Sequence, residues 1–264
     1  MDSRRPTVVV TGASSGIGKA LALGWARRGA CVVLSARHEA GLAEIAREVE
    51  RLGGTAIAQA GDVTVEEDRR ALIERARGQT GRIDVLVNNA GRGYYGSVLR
   101  IDAAELEALF VLNVVAPLRL AQIALDPLTR AGGSIVMLSS VAGVVASPRM
   151  GAYAASKFAL EALSMSLRAE IVGTGVRVVV VRPGPVDTPF RSNAITTDGQ
   201  PGVRPKGAGV QSPEEVAEQT IAAVDEGRPV VETTAFVRVV SAASRWAPGA
   251  VRWVTAAMAR RRGQ

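Results

Sequence analysis

Val8-Val9-Val10-Thr11-Gly12-Ala13-Ser14-Ser15-Gly16-Ile17-Gly18 decides the fold of this 264-residue chain. Three β-branched residues read as a buried strand, and the apolar-periodic stretch Ile17–Arg28 reads as a helix. Between them lies a turn of small residues. Small residues let a backbone approach a pyrophosphate, and a helix N-terminus offers free N–H groups and the positive end of its dipole. A glycine-rich turn between the first strand and the first helix is the context that makes such a motif meaningful.

Working outward, strand-like and helix-like segments alternate. Strands are predicted at Thr7–Thr11, Ala30–Ser35, Thr55–Ala60, Val85–Asn88, Ser134–Leu138, Val176–Arg182 and around Val230. Helices are predicted at Ile17–Arg28, Ala40–Leu52, Glu66–Gln79, Ala103–Ala124, Tyr153–Ile171 and Pro213–Glu226. This alternation implies an α/β, doubly wound, mostly parallel sheet of Rossmann type with helices on both faces. Continuous apolar runs such as Val176–Val181 fit strands covered on both sides. A single domain is expected over 1–232. A Gly- and Pro-rich loop interrupts the rhythm at about 190–212, and a separate tail occupies 233–264.

Composition excludes several chemistries. The single cysteine, Cys31, and single histidine, His38, rule out disulfide frameworks and Cys/His metal clusters within one chain. A serine–histidine–aspartate triad would have to use His38, beside Arg37. No signal peptide is visible at the N-terminus, and no apolar run reaches the roughly 18–20 residues of a bilayer span, so a cytoplasmic location is expected. The net charge of +7 belongs to the tail. After Glu232 there are six arginines (238, 245, 252, 260, 261 and 262) and no acid; without those six, 26 basic residues face 25 acidic ones.

Further motifs follow in order: Asn88-Asn89-Ala90-Gly91, Ser140, Tyr153-x-x-x-Lys157 and Pro183-Gly184-Pro185-Val186-Asp187-Thr188. Tyr153 and Lys157, four apart on a helix, share a face. A phenol has a pKa of about 10, too high for a base near neutrality. A neighbouring ammonium is expected to lower it. Ser139 and Ser140 adjoin on a strand, so only one of them faces a given side.

Together with Thr-Gly-x-x-x-Gly-x-Gly, these motifs resemble the short-chain dehydrogenase/reductase family from about Val8 to Glu232. The resemblance implies hydride exchange between a nicotinamide cofactor and a carbonyl or alcohol. It implies that Tyr153 is general acid/base, that Ser140 rather than Ser139 positions the substrate oxygen, and that Lys157 also holds the nicotinamide ribose. Asn113 would interrupt its helix and hold a water joining the lysine to solvent. Thr11, Gly12, Ser14, Ser15, Gly16, Ile17 and Gly18 would hold the dinucleotide phosphates, and Asp62 and Val63 the adenine. Asn89, Ala90 and Gly91 would line the cofactor cleft. Pro183, Gly184, Val186 and Thr188 would fix the nicotinamide carboxamide.

Cofactor choice is read after the second strand. A carboxylate there selects NAD; here Ala36 takes its expected position and Arg37 follows. Arg37 can face a 2′-phosphate, so NADP(H) is expected over NAD(H), although Ser15 is not basic and Arg37 also reads as a solvated charge. The expected partner is a small-molecule carbonyl or alcohol, and because few charged residues flank the cleft apart from Arg149 and Arg191 it reads as an apolar ketone, a sterol-like or an acyl-chain compound. Tyr94, Tyr95, Arg149, Met150 and Arg191 are wall candidates, and Tyr94 and Tyr95 read equally as loop packing. The alternatives are an NAD-linked alcohol dehydrogenase of the same family and a non-catalytic NADPH-binding regulator. A homo-oligomer, dimer or tetramer, is expected. Pro248-Gly249 should divide the tail into two amphipathic helices that pack on the body or another subunit, adsorb to an anionic membrane, or, with the least support, bind nucleic acid.

Overall fold

The computed structural model describes residues 5–197, 207 and 209–262. Seven strands form one parallel sheet: β1 (Thr7–Thr11), β2 (Cys31–Ala36), β3 (Thr55–Ala60), β4 (Val85–Asn88), β6 (Ser134–Leu138), β7 (Arg177–Arg182) and β9 (Val230–Glu232). Their order is β3-β2-β1-β4-β6-β7-β9. The chain reverses direction of travel across the sheet between β1 and β4, which opens a crevice at the carboxyl ends of these two strands.

Helices cover both faces. On one side lie α1 (Gly16–Ala26), α2 (Glu39–Arg51) and α8 (Pro213–Glu226). Val8, Val10, Leu21, Trp25, Ile45 and Ile221 pack together there. On the other lie α3 (Glu66–Thr80), α5 (Ala116–Ile123), α6 (Leu125–Ala131) and α7 (Gly151–Glu170), where Val9, Leu72, Leu86, Leu120 and Leu160 pack. Val8 and Val10 thus face one core and Val9 the other, as strand alternation requires. Ser212 caps α8 with a full capping box to Glu215, which explains why this helix starts where its sequence predicts.

The predicted helix Ala103–Ala124 is not one α-helix. It consists of α4 (Ala103–Phe110), a π segment (Val111–Val115) and α5, with α6 following as a separate short helix that the sequence reading lacks. This rod also corrects the expectation about membrane spans: 103–123 is long and apolar enough to cross a bilayer by length and composition. In the fold it buries Leu109, Val114, Ala116 and Leu120 and packs beside α3 and α7. Two strands of two residues each, β5 (Tyr94–Tyr95) and β8 (Ile195–Thr196), pair in parallel outside the main sheet. They tie the loop after β4 to the loop after β7. That second loop, predicted at about 190–212, lies partly outside the described residues. The tail forms α9 (Ala235–Trp246) and α10 (Pro248–Arg262), divided at Pro248 as its sequence implies.

Candidate active site

The glycine turn sits at the crevice. Gly12 and Gly16 have positive φ, 64° and 54°, which glycine adopts without steric cost. A Cβ on Gly18 would lie 2.2 Å from the Gly12 carbonyl oxygen, so the helix starts in contact with its own turn. Ser15 is the N-cap of α1 but makes no side-chain cap hydrogen bond, and Ser14 and Ser15 are exposed. The first turn of α1 therefore keeps N–H groups for an anion. The residues present fit a dinucleotide phosphate cradle.

The turn is locked from β4. Thr11 Oγ1 donates to Val87 O and accepts from the backbone N–H groups of Asn89 and Ala90, each at 3.0 Å. Asn89 Nδ2 donates to the carbonyls of Thr11 and Gly12 at 2.9 and 3.2 Å. The Asn89 amide nitrogen thus holds the turn's shape, a role its sequence position does not disclose. On the opposite flank Ala13 N–H donates to Ser35 O. This places the end of β2, and Arg37 just after it, beside the turn. Arg37 is exposed. Asp62 Oδ1 accepts from Thr64 N–H and its hydroxyl, both at 2.8 Å, and Val63 is buried in the core. Thr188 closes the other side: a Cβ on Gly16 would lie 3.0 Å from Thr188 Cγ2. Val186 bridges to Gln211, Pro183 O accepts from Val141 N–H at 2.9 Å, and Gly184 lies against Thr234 and Val237.

Ser140, Tyr153 and Lys157 converge at the carboxyl ends of β4 and β6. Ser140 caps a short 3-10 turn (Val141–Gly143), accepting from Ala142 N–H at 3.1 Å, and its hydroxyl lies toward the Tyr153 phenol, close enough to favour the phenolate. Ser139 points the other way, its hydroxyl close to Gly143 and Glu161. Lys157 Nζ donates to Leu138 O at 2.7 Å and lies 5.8 Å from the Tyr153 ring centroid. Asn113, fully buried, lies inside the π segment. Its Oδ1 accepts from Arg92 N–H, and its Nδ2 donates to Arg92 O and Ser156 Oγ, at 2.9, 2.9 and 3.0 Å. Ser156 Oγ donates in turn to Tyr153 O at 2.7 Å. The extra residue of a π turn re-aims one side chain; here it turns Asn113 toward α7. Ser156 was missed in the sequence, although its place three residues after Tyr153 on the same helix is the signal that would have found it.

Burial sets the charge states. It pushes the Tyr153 phenol well above its ordinary value, against the Ser140 hydroxyl, which pulls it down; Tyr95 adds to the rise. The neighbouring ammonium alone does not lower it: among the chain's own groups, removal of water outweighs the favourable contact with Ser140. Burial also pushes Lys157 down to about 8, opposed by the Glu161 carboxylate. Because this lies below its ordinary 10.5, the unfolded chain binds more protons between the two values, and this group's contribution to stability rises with pH across that window. Lys157→Met removes the titration. The melting temperature of the unaltered protein is expected to gain on that of the variant from pH 8 to pH 10; scanning calorimetry showing a constant gap would refute the assignment.

The crevice wall beside Tyr153 is aromatic. The rings of Tyr153 and Phe190 are 5.5 Å apart and tilted by 58°, and the Arg191 guanidinium lies 5.6 Å over the Tyr95 ring. Tyr94 is fully buried, its hydroxyl donating to Ser97 O at 2.8 Å, so of the two tyrosines Tyr94 is loop packing and only Tyr95 stays at the cleft.

The family model described as short chain dehydrogenase matches residues 6–199. The chain belongs to this family of oxidoreductases. Among its curated relatives, the ketoacyl reductase HetN of Nostoc sp. is 36% identical over 219 residues, covering 83% of this chain and 75% of the relative. A short-chain dehydrogenase of Sphingobium yanoikuyae, solved in complex with NADPH, superposes with a TM-score of 0.77 at 31% identity, covering 97% and 94% of the two chains. A short-chain dehydrogenase/reductase of Burkholderia phymatum, solved in complex with NAD, gives 0.81 at 26% identity, covering 91% and 93%.

Proposed function

We propose that this short-chain dehydrogenase interconverts a carbonyl group and a secondary alcohol on a predominantly apolar substrate, using NADP(H). The convergence of Ser140, Tyr153 and Lys157 on one point of the crevice carries this reading. Bound at the glycine turn, the dinucleotide supplies or accepts the hydride. The Ser140 hydroxyl, beside the Tyr153 phenol, holds the substrate oxygen. Tyr153, kept protonated by burial, is poised to give its proton to a carbonyl oxygen as that oxygen gains charge. In the reverse direction the same phenol must lose its proton first. Lys157, fixed by Leu138 O beneath the ring, provides the nearby positive charge that favours that loss. Asn113 and Ser156 hold the Tyr153–Lys157 turn in register with the loop after β4.

Lys157, Thr188, Val186, Gly184 and Pro183 would hold the nicotinamide end, and Asp62 with Val63 the adenine. The wall of Tyr95 and Phe190 supports an apolar substrate, and the likeness to a ketoacyl reductase supports an acyl-chain carbonyl among them. A non-catalytic regulator would have no use for Tyr153 and Lys157 together. A panel of ketones, aldehydes and alcohols, followed by nicotinamide absorbance with both cofactors, tests the reading; no turnover of any would overturn it.

Arg37 supports NADP(H). It is exposed beside the turn, with no hydrogen-bond or ion-pair partner among the described residues, as a receptor for a 2′-phosphate would be. Ser15 and the NAD complex of the Burkholderia relative favour NAD(H) as the second reading. Arg37→Asp is expected to shift the ratio of kcat/KM for NADPH over NADH toward NADH by at least about tenfold, the scale of a hydrogen bond to a charged group. An unchanged ratio would make Arg37 a surface charge. Phe158 and Met165, exposed on α7, and Val115, exposed on the π segment, form an apolar face suited to a homo-oligomer. The single cysteine fits a reducing cytoplasmic setting.

A further inference from the structure

Helix α9 carries two apolar faces, and the body covers only one. Val237 is fully buried, and with Val240, Ser241 and Ser244 it faces β9 and the 3-10 turn at Val141–Gly143. On the other side Phe236, Val239, Ala243 and Trp246 recur at helical spacing. Phe236, Val239 and Trp246 are 59%, 67% and 77% exposed. Trp253, 69% exposed, continues the apolar surface on α10 with Val254. Arg238, Arg245, Arg252 and Arg260 are exposed on the same two helices, and Arg245 stacks on Trp246, 5.3 Å from its centroid.

We propose that α9 and α10 seat the protein on an anionic lipid surface. Three observations favour this occupant. The tail has six arginines and no acid, which matches a negatively charged plane. Two of its three aromatic residues, Trp246 and Trp253, are tryptophans that follow Arg245 and Arg252 directly, side chains with an apolar body and a polar edge that suit the boundary between hydrocarbon and water. A second copy of the chain is disfavoured by symmetry: a two-fold contact sets a patch against itself, bringing the arginines of both tails together without a compensating acid. A nucleic acid would answer the arginines but leave the Phe236–Val239–Trp246 stripe in water.

The seat has a direction. β9 ends at Glu232 and α9 starts at Ala235, so α9 begins at the carboxyl edge of the sheet. Its first turn lies against Gly184, next to the loop assigned above to the nicotinamide. The bilayer would therefore lie beside the cleft edge rather than behind the sheet.

The test is co-sedimentation of the full chain with vesicles of phosphatidylcholine alone, or of phosphatidylcholine and phosphatidylglycerol in equal parts, at about 0.1 M and about 1 M salt, where screening lengths are about 10 and 3 Å. Binding is expected to the anionic vesicles only, and to weaken at high salt. Arg245→Gln with Arg252→Gln should lower affinity about fivefold per arginine. Phe236→Ser with Trp246→Ser should lower it further while leaving the melting temperature unchanged, since both side chains are exposed. Absence of binding at low salt, or equal binding to both vesicles, would overturn the proposal. So would a change in subunit number in the serine variant with vesicle binding retained, which would give the stripe to a second copy. Tight binding to a DNA duplex without vesicle binding would overturn it equally. Sedimentation does not depend on turnover, so its failure and a failure of the reaction assignment are distinguishable.

Discussion

Tyr153→Phe is expected to lower turnover in both directions at least about 100-fold, the scale of a lost general acid/base, with dinucleotide affinity nearly unchanged. The substitution keeps the ring, which packs against Phe190 and is buried with Tyr94 and Leu109 in a small cluster beside the cleft. It removes the hydroxyl beside Ser140, but the substrate oxygen still meets one donor. Stability should hold or rise slightly, because a buried phenol hydroxyl is replaced by hydrogen. Steady-state rates together with cofactor titration by fluorescence separate the two effects. A variant retaining most of its turnover would end the assignment of Tyr153, whatever the substrate.

The second large effect concerns Gly18. Gly18→Ala places a methyl group 2.2 Å from the Gly12 carbonyl oxygen and 2.4 Å from Asn89 Nδ2. Neither is the free end of a flexible chain: one is backbone, the other is the amide that holds the turn. The turn must move, and Asn89 must release at least one of its two carbonyls. Overpacking of this kind costs about 1–3 kcal/mol, and it falls on the surface that would receive the pyrophosphate. Loss of measurable dinucleotide binding is expected, with a lower melting temperature. Gly78→Ala is the control. That glycine lies in α3 with nothing within 4 Å of a Cβ, so alanine should stabilise by about 1 kcal/mol and leave cofactor binding alone. Equal behaviour of the two variants in calorimetric titration with NADPH would show that the turn is not the dinucleotide site.

How much of this was legible in the sequence depends on the range of the interaction. The strands Thr7–Thr11, Val85–Asn88 and Ser134–Leu138 are readable because each is a short apolar run fixed by local composition. The shared face of Tyr153 and Lys157 is readable because helical spacing alone produces it. The π segment has no local signature: Val111–Val115 is apolar and helical in pattern, and only the likeness to a family pointed to Asn113. The two-residue strands β5 and β8 are too short to show a period. Asn89 locking the turn is a contact across 78 residues, invisible to any window of neighbouring residues. The rise of the Tyr153 phenol shows the same limit. A lysine four residues away is local and conspicuous, whereas burial by α4, the loop at Tyr94 and Phe190 is a property of the assembled fold, and it dominates.

The Thr11–Asn89 lock also bears on how the protein is made. A ribosome delivers the glycine turn first and Asn89 much later; at about 5–20 residues per second the interval is roughly 4–16 s. Until then β1 lacks its neighbour β4, and the turn lacks the amide that fixes its two carbonyls. The nascent N-terminal third can pair β1 with β2 and β2 with β3, and Ser35 O can hold the turn at Ala13, but the β4 flank of the turn is still missing. The turn is therefore completed only once about a third of the chain has been made, and nascent chains shorter than about ninety residues lack its second flank.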